Sequence, residues 1–589
     1  MKAIVKFQIL FFIILIIFGC SSHKFTLAPI KTFDPDNKNI PAPKDIKENQ
    51  IWDIADMTVF YQIEKVLDLN WSARKIGKGL NLVKGRSADN VNALDEVPNS
   101  SWYTNRHYQK RMNLEDLQNG PNVTAGPDQS GLWLIWLAKT EGGTPGLFIR
   151  DAKGDAYILK FDAPQFQEMG SSAEVIATKF FHAAGYHVPQ NTIEYFDPDI
   201  LQVQEGVMIP DQGPERQMTT RDVEDLLRPI PRREDGKIRC LASKLVDGKV
   251  VGVWNYIGTR SDDPNDLVHH EHRRELRGLR TFASWLSDED RRAANTLAVY
   301  TEDKETGNKY IKHFIIDMGS TMGSNNIIPH APKYGSEYLV DPRTIALQFI
   351  TFGLYVKPWE FEVEPQEFIG RKDDPNFPYL HSIGYYESEI FDPGDWYPTY
   401  PNPAFEYATY RDAFWGAKIV MSFTDEDIRA IVKTANYSNP KAEEYLIKTL
   451  IERRDKVGRY WFERMNPLDK FKFKQSNDVL TLTFNDLAVD GHLASAEDTK
   501  YIYTLSYHKK GLHKQEFVHA PKIPISANGA GFLDQILATN DIKNEEDKIF
   551  LIKIQTVRKG KKPSSAVDVY FYYPGQNKEA RVVGIVREE

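Results

Sequence analysis

The sequence contains little cysteine and no excess of positive charge. Only two of its 589 residues are cysteines, Cys20 and Cys240, so a network of disulfides is excluded and packing must stabilise the fold. The formal net charge is −8, which provides no general attraction for polyanions. We therefore expect no nucleic-acid partner.

The rest of the composition is that of a folded protein with several domains. Hydrophobic residues make up 41% of the chain and charged residues 26%, a balance typical of soluble globular proteins. A chain of 589 residues is too long to fold around one hydrophobic core. We expect about three or four domains.

The first residues indicate a targeting segment. Two lysines flank the start, an apolar run extends from Ile9 to Phe18, and Cys20 follows. This order resembles a bacterial lipoprotein signal, which implies that a lipidated Cys20 anchors the chain in the cell envelope. The expected location is the outer membrane, facing the periplasm or the cell surface. The alternative is an uncleaved membrane anchor, although the run has only about half of the ~20 residues that a spanning helix needs.

Between about residues 131 and 155 the pattern is strand, glycine turn, strand. The run GLWLIWLAKT precedes Gly142 and Gly143, and LFIRD follows them. Glycines allow backbone N–H groups to approach phosphate oxygens without a side chain in between, so this turn is a candidate phosphate-covering hairpin. The alternative is an ordinary hairpin, which is what most Gly-Gly turns form.

A lysine embedded in an apolar strand is the next candidate. The strand AYILKFD places Lys160 between Leu159 and Phe161, where its ammonium must find a counter-charge or reach water. Fourteen residues later, Glu174 lies in a segment with helical spacing, SSAEVIATKFFHAAGYHVP. Glu174 is the candidate partner of Lys160. The alternative is a surface lysine and a glutamate that complements the helix dipole.

Oxygen ligands follow further along the chain. Asp290 precedes Asn295 by five residues, and the apolar run IKHFII ends in Asp317-Met-Gly. A strand that carries a carboxylate out of a hydrophobic core and ends at a flexible glycine suits a hard cation bound to a polyphosphate. Asp288, seven residues before Asn295, is an alternative acid; the five-residue spacing that favours Asp290 is the one found in the protein kinases that this motif resembles.

Taken in order, these motifs resemble the HipA-like branch of the protein-kinase-like superfamily and, more distantly, CotH-type secreted kinases and phosphoinositide kinases, over roughly residues 130–465. The resemblance implies an α+β, two-lobed protein-kinase-like fold that binds ATP and Mg²⁺. It implies these roles: phosphate contact for Lys160, ion pairing for Glu174, catalytic base for Asp290, Mg²⁺ ligation for Asn295 and Asp317, and phosphate covering for Gly142 and Gly143.

The sequence departs from the kinase pattern in two places. No His-Arg pair precedes Asp290, because the preceding residues are Ser-Asp-Glu. Met318 stands where kinases carry phenylalanine, and its flexible apolar side chain can still pack there. The first departure implies that the loop around Asp290 is positioned by other contacts.

Two helices are expected in the second half of this region. The segment 268–285 carries three histidines and several arginines, and its alternating charge predicts a solvated helix face rather than a metal site. The segment from Thr344 to Val356, TIALQFITFGLYV, is apolar and predicts a buried helix.

From about residue 477 the apolar residues recur with period two, which predicts a C-terminal β-sandwich. The complete division is a signal peptide (1–20), a proline-rich tether (21–50), an N-terminal elaboration (51–130), a kinase-like N-lobe (131–260), a kinase-like C-lobe (261–470) and a β-sandwich (475–589).

Two functions are consistent with this organisation. The first is a membrane-anchored phosphotransferase that moves the γ-phosphoryl group of ATP to a protein or carbohydrate hydroxyl in the cell envelope. The second is a kinase-fold pseudoenzyme or scaffold lipoprotein that binds a phosphorylated or anionic ligand or an envelope partner without catalysis. The full set of polar residues favours the first, whereas a compartment without a standing ATP supply favours the second.

Overall fold

The computed structural model describes residues 25–47, 54–67, 85–138, 146–210, 215–357, 359, 381–476, 479–507, 510–512, 515–525, 531–575 and 578–589. Within these ranges the chain belongs to the α+β class. The proposed lipoprotein signal with Cys20 and the turn with Gly142 and Gly143 lie outside the described residues. Among the residues that are described, no helix is both long and apolar enough to span a bilayer.

The chain divides into two compact units. The described residues within Thr32–Asn90 and Val97–Phe462 form the larger unit, and those within Met1–Lys31, Val91–Glu96 and Glu463–Glu589 form the smaller unit. All candidate site residues that the structure describes belong to the larger unit.

The first half of the larger unit is built on a mixed sheet. Its elements are α1 (Tyr61–Leu67), α2 (Leu114–Asn119), β1 (Trp133–Ala138), β2 (Gly146–Arg150), β3 (Ala156–Lys160), α3 (Met169–Ala184), β4 (Gln190–Phe196), β5 (Leu201–Val203), β6 (Met208–Pro210), β7 (Glu215–Gln217), α4 (Thr220–Leu227), β8 (Ile238–Lys244) and β9 (Lys249–Val250). Six of these strands form one sheet in the order β4-β8-β3-β2-β1-β5. Neighbouring strands of this sheet are antiparallel, except that β1 and β5 pair in parallel.

The core of this sheet follows from the alternation along its strands. In β3, Tyr157 and Leu159 are buried while the residues on either side of them are partly exposed, as expected for one face of a sheet. They pack with apolar residues of the neighbouring strands and of α4. Helix α3 contacts β4 and β8 and is buried along nearly its whole length. The last residue of β3 and the first half of α3 are thereby brought together.

The second half of the larger unit is mainly helical. Its elements are α5 (Arg274–Leu286), β10 (Thr296–Glu302), β11 (Lys309–Ile315), β12 (Ser324–Asn325), β13 (Ile328–Pro329), α6 (Pro342–Ile350), α7 (Pro403–Tyr407), α8 (Tyr410–Val420), α9 (Asp425–Lys433) and α10 (Pro440–Arg464). Strands β10 and β11 form a hairpin paired from Thr296↔Ile315 to Glu302↔Lys309. This hairpin carries Asn295 at its entrance and Asp317 beyond its exit.

The smaller unit is rich in antiparallel strands. It contains β14 (Leu468–Ser476), β15 (Val479–Asp486), α11 (Leu487–Asp490), β16 (Thr499–Tyr507), β17 (Lys510–Gly511), β18 (Glu516–Val518), β19 (Lys522–Pro524), α12 (Gly531–Thr539), β20 (Ile549–Arg558), β21 (Val567–Tyr572) and β22 (Arg581–Arg587). One sheet has the order β14-β15-β19, and a second has β17-β16-β20-β21-β22, with β18 also paired to β16. The apolar faces of both sheets contribute to one core, in agreement with the period-two pattern.

The expectation of a solvated helix face for residues 268–285 is wrong. Arg274 and Arg277 are almost completely buried. The buried Asp412 on α8 accepts hydrogen bonds from Arg274 Nε at 3.0 Å and from an Arg277 amino group at 3.3 Å. The counter-charge comes from a residue 138 positions along the chain from Arg274, which local charge alternation does not reveal.

The expectation of a buried helix from Thr344 to Val356 is also wrong. The helix α6 is shorter, and none of its residues is buried. The side chain of Phe349 is 83% exposed, and Phe352, just beyond the helix, is exposed as well. An apolar composition predicts the helix, but burial depends on what packs against it.

Candidate functional site

Lys160 is placed by strand pairing. It is the last residue of β3, and it lies opposite Gly146 in β2 and Leu241 in β8. Its side chain leaves the sheet on the face opposite that of the buried Leu159. It is 18% exposed. A central strand with partners on both sides fixes this backbone position.

Glu174 supplies the counter-charge for Lys160. The Lys160 ammonium donates to both carboxylate oxygens of Glu174, at 3.0 and 2.9 Å. Glu174 is only 2% exposed, and this ammonium compensates for part of the hydration that its carboxylate loses. The ion pair expected between a strand lysine and a helix glutamate is therefore present.

Asp317 joins this pair from the end of the β10–β11 hairpin. The Lys160 ammonium lies 3.1 Å from Asp317 Oδ1, and the Asp317 side chain is 41% exposed. Asp317 adopts a left-handed backbone conformation, with φ of 54°, which aspartate tolerates better than most residues. The next residue, Met318, is fully buried. The turn thus directs the carboxylate towards Lys160 while the following side chain fills the core.

The two carboxylates determine the charge state of Lys160. Burial alone works to lower its pKa, but the nearby charges of Asp317 and Glu174 outweigh burial and raise the pKa above its ordinary value. The lysine therefore stays protonated across the physiological pH range. A permanent cation beside partly exposed carboxylate oxygen suits the binding of an anionic ligand together with a metal ion.

Arg291 holds the turn at Asp317 in place. Its Nε donates to Asp288 Oδ1 at 2.8 Å, and an amino group donates to the backbone carbonyl of Asp317 at 2.7 Å. Both Arg291 and Asp288 are buried. Burial raises the pKa of Asp288 to about 6 even though the nearby charge of Arg291 lowers it. Asp288 thus serves as the partner of Arg291, which leaves Asp290 as the more accessible acid.

Asp290 and Asn295 lie in one tight turn ahead of β10. The Asn295 side-chain amide donates to the backbone carbonyl of Asp290 at 2.7 Å. The backbone carbonyl of Asn295 accepts from Ile316 N at 3.0 Å, directly before Asp317. The Asp290 carboxylate is 27% exposed and pairs with Arg292 Nε at 2.8 Å. The backbone therefore links the two motifs that the sequence spacing suggested.

The side chains of Asn295 and Asp317 carry oxygen atoms, which are the ligands that Mg²⁺ prefers. Because the amide nitrogen of Asn295 is used in a hydrogen bond, its carbonyl oxygen is the atom that can act as a ligand. This carbonyl oxygen and the carboxylate oxygens of Asp317 are each of the kind that Mg²⁺ takes as a ligand, and Mg²⁺ commonly takes its remaining ligands from water and phosphate. In the described part of the chain, no group of three or more His, Cys, Asp or Glu side chains is placed to hold a metal by itself.

The structure thus brings Lys160, Glu174 and Asp317 into direct contact and connects them to Asp290 and Asn295 through Arg291 and Ile316. Sequence reasoning missed Arg291 and Arg292, although the arginine pair directly after Asp290 was a signal that could have been used. Searches of protein-family models, curated proteins and solved structures find no match to this chain.

Proposed function

We propose that the chain is a kinase-like phosphotransferase that moves the γ-phosphoryl group of ATP, with Mg²⁺, to a hydroxyl group of a protein or carbohydrate in the cell envelope. One observation carries the proposal: a protonated lysine on a sheet strand contacts a helix glutamate and an aspartate that follows a distant hairpin. Placing a cation beside a candidate metal ligand is what phosphoryl transfer needs from a protein.

Each residue has a distinct task in the proposed reaction. Lys160 donates to phosphate oxygens of ATP, while Glu174 holds its ammonium in position. Asn295 and Asp317 would hold Mg²⁺, which would supply positive charge against the charge that develops on the phosphates. Asp290 accepts the proton of the acceptor hydroxyl as that oxygen bonds to the γ-phosphorus. The bond between the γ-phosphorus and the β,γ-bridging oxygen breaks, and ADP leaves.

The proposal includes the finer features of fold and location. In it, the mixed sheet with α3 is the first lobe of a kinase-like fold, and the region from α5 to α10 is the second. The smaller unit is an appended β-sandwich that binds an envelope partner. A lipidated Cys20 would retain the protein in the membrane fraction, and Cys20→Ser would release it. Persistence of that variant in the membrane would contradict the lipid anchor.

Nucleotide binding is the direct test of the site. We expect Mg²⁺-ATP to raise the melting temperature of the full-length chain and Asp317→Ala to abolish that rise. The matched control is Asp155→Ala, because Asp155 also pairs with a strand lysine, Lys244, but outside the site; this variant should respond like the parent. A parent protein that shows no shift with any Mg²⁺-nucleotide would contradict the proposal.

A second candidate is the pseudoenzyme, and the pairing of Asp290 favours it. Arg292 Nε donates to Asp290 Oδ1 at 2.8 Å, so one oxygen of this carboxylate is already engaged before an acceptor hydroxyl approaches. The two candidates separate in a transfer assay with γ-labelled ATP. A phosphotransferase labels itself or an acceptor and loses this on Asp290→Asn, whereas a pseudoenzyme binds nucleotide and transfers no label.

A further inference from the structure

A concave pocket lies in the larger unit, and none of Lys160, Glu174 and Asp317 lines it. It has a volume of about 430 Å³, within the range of small-molecule sites. Its wall is formed by the segment that precedes Asp290, by residues 330–336 and by residues between 385 and 396. The lining residues that matter here are Glu289, His330, Tyr334, Phe391, Trp396 and Arg453.

The carboxylate of Glu289 is buried in this pocket with little compensation. Its nearest side-chain contacts among the described residues are the Thr399 hydroxyl at 3.5 Å and His330 Nδ1 at 3.7 Å, both too long for strong hydrogen bonds. Burial raises the pKa of Glu289 well above its ordinary value, and Arg453 and Thr399 offset this only in part. A buried carboxylate with so few compensating contacts is stabilised by a cation that enters the pocket.

The histidine does not supply that cation. Burial lowers the pKa of His330 to about 3, so the ring is neutral near pH 7. Its Nδ1 has no hydrogen-bond partner among the described residues, which makes it a second buried polar atom of the pocket that a ligand could satisfy.

Arg453 is committed elsewhere. Its guanidinium donates to the backbone carbonyls of Ser284, Trp285 and Glu387 and to the Ser287 hydroxyl, at 2.7 to 3.0 Å. With its donors directed at these oxygens, Arg453 supports the wall of the pocket and gives Glu289 no direct hydrogen bond.

The remaining charged residues of the pocket are acidic. Among the lining residues that the structure describes, Glu387, Asp392 and Asp395 join Glu289, and Arg453 is the single arginine. Lys333, in the adjoining segment, lies over the ring of Tyr334 and does not line the pocket. The described lining therefore carries an excess of negative charge even when Glu289 is left out of the count.

Aromatic rings provide the rest of the wall. Tyr334, Tyr385, Phe391 and Trp396 all line the pocket, and the Arg453 guanidinium already lies 3.6 Å from the centroid of Phe391. Organic cations prefer surroundings of aromatic faces beside carboxylates. The ring faces attract such a cation, which is only weakly hydrated.

We propose that this pocket binds an organic cation, an alkylammonium or guanidinium group, with Glu289 as its counter-ion and the aromatic residues as its walls. The group can belong to a free amine or to a basic side chain of a peptide. Glu289 directly precedes Asp290, so if the proposed phosphotransfer holds, the cation belongs to the acceptor. The binding itself requires no nucleotide, and its test is independent of that function.

Calorimetric titration of the full-length chain without nucleotide tests the proposal. The probes are butylammonium, butylguanidinium and a blocked Gly-Arg-Gly peptide, with 1-butanol and the citrulline peptide as neutral counterparts. We expect the cations to bind at millimolar concentration or below, and their neutral counterparts about tenfold more weakly. Tighter binding of the peptide identifies a basic side chain as the ligand, and tighter binding of the small cations identifies a free amine. Equal affinity for neutral and charged probes, or no binding of any probe, overturns the proposal.

Two variants locate the binding. Glu289→Gln preserves the shape of the side chain and should weaken cation binding about tenfold while leaving 1-butanol unaffected. Asp395→Asn lies at the exposed rim, where folding is not at risk, and should weaken cation binding about threefold. Glu444→Gln is the control, because Glu444 is exposed and pairs with Arg429 outside the pocket. Unchanged cation affinity in both pocket variants would overturn the assignment.

Discussion

Lys160 Nζ lies 3.1 Å from Asp317 Oδ1, although 157 residues separate the two in sequence. The contact joins the end of β3 to the residue that follows the β10–β11 hairpin. Since the same ammonium also binds Glu174, one cation connects three separate segments of the larger unit. The free energy of unfolding must therefore depend on Lys160 whether or not a ligand is bound.

Lys160→Met should reduce the free energy of unfolding by about 2 kcal/mol, because it leaves the buried carboxylate of Glu174 without its cation. Adding Glu174→Gln should recover at least half of the loss, since it removes the buried charge that has lost its lysine. Urea unfolding measures both changes. Lys244→Met, which breaks a pair with the partly exposed Asp155, is the control, and equal losses in the two lysine variants would contradict the argument.

Asp412→Asn should lower the free energy of unfolding by about 3 kcal/mol, more than Lys160→Met does. The reason is that it leaves the buried guanidinium groups of Arg274 and Arg277 without a full counter-charge. The measurement is again urea unfolding. Asp225→Asn, at an exposed pair with Arg228, should cost less than about 0.5 kcal/mol. A similar small cost for Asp412→Asn would mean that the two arginines are compensated in another way.

Arg291→Lys should separate positioning from folding. Lysine keeps the charge beside Asp288 but cannot reach both Asp288 and the Asp317 carbonyl in the same forked geometry. Under the proposed function, the Mg²⁺ concentration needed for half-maximal nucleotide binding should rise about tenfold, while nucleotide binding without Mg²⁺ stays unchanged. A calorimetric Mg²⁺ titration checks this. An equal loss with and without Mg²⁺ would indicate general damage.

Glu194 should make stability depend on pH. Burial raises the pKa of Glu194 from 4.5 to about 7, so the folded chain retains a proton that the unfolded chain has lost. Its stabilising contribution is fully present below pH 4.5 and is lost as the pH rises through about 7, with a total change of about 2 kcal/mol after allowance for partial exposure. Glu194→Gln should flatten this part of the curve of unfolding free energy against pH, and parallel curves for the two proteins would disprove it.

Phe349→Ala tests the unexpected exposure of α6. Truncation of a buried phenylalanine lowers the free energy of unfolding by about 3–5 kcal/mol. Truncation of an exposed one should lower it by less than about 0.5 kcal/mol. We expect the small value, together with weaker self-association in sedimentation velocity, because an exposed apolar patch is removed. Phe414→Ala, at a buried position of α8, is the comparison variant and should show the large loss of unfolding free energy.

Short-range patterns predicted the parts of the site that are local in sequence. A lysine in an apolar strand implied a partner, and the following helix supplied Glu174 within fourteen residues. The turn from Asp290 to Asn295 was visible from spacing, and the period-two strands near the C-terminus were visible from alternation. These features depend on backbone geometry and on the near neighbours of each residue.

Long-range partners could not be predicted in this way. The burial of Arg274 depends on Asp412, and the exposure of Phe349 depends on which elements pack against α6, and neither is encoded nearby. The solvated face and the buried helix were therefore wrong for the same reason. The sequence pattern specified the element but not its surroundings.

The contacts of Arg453 have a consequence for the order of folding. Carbonyl groups in the last turn of a helix lack partners within the helix, and for α5 a guanidinium from α10 provides donors to Ser284 and Trp285. The chain that leaves this helix end runs directly into Asp290. During synthesis, that stretch must wait until residue 453 has emerged before its final anchor exists, so we expect the proposed reaction centre to mature late, after the sheet that holds Lys160.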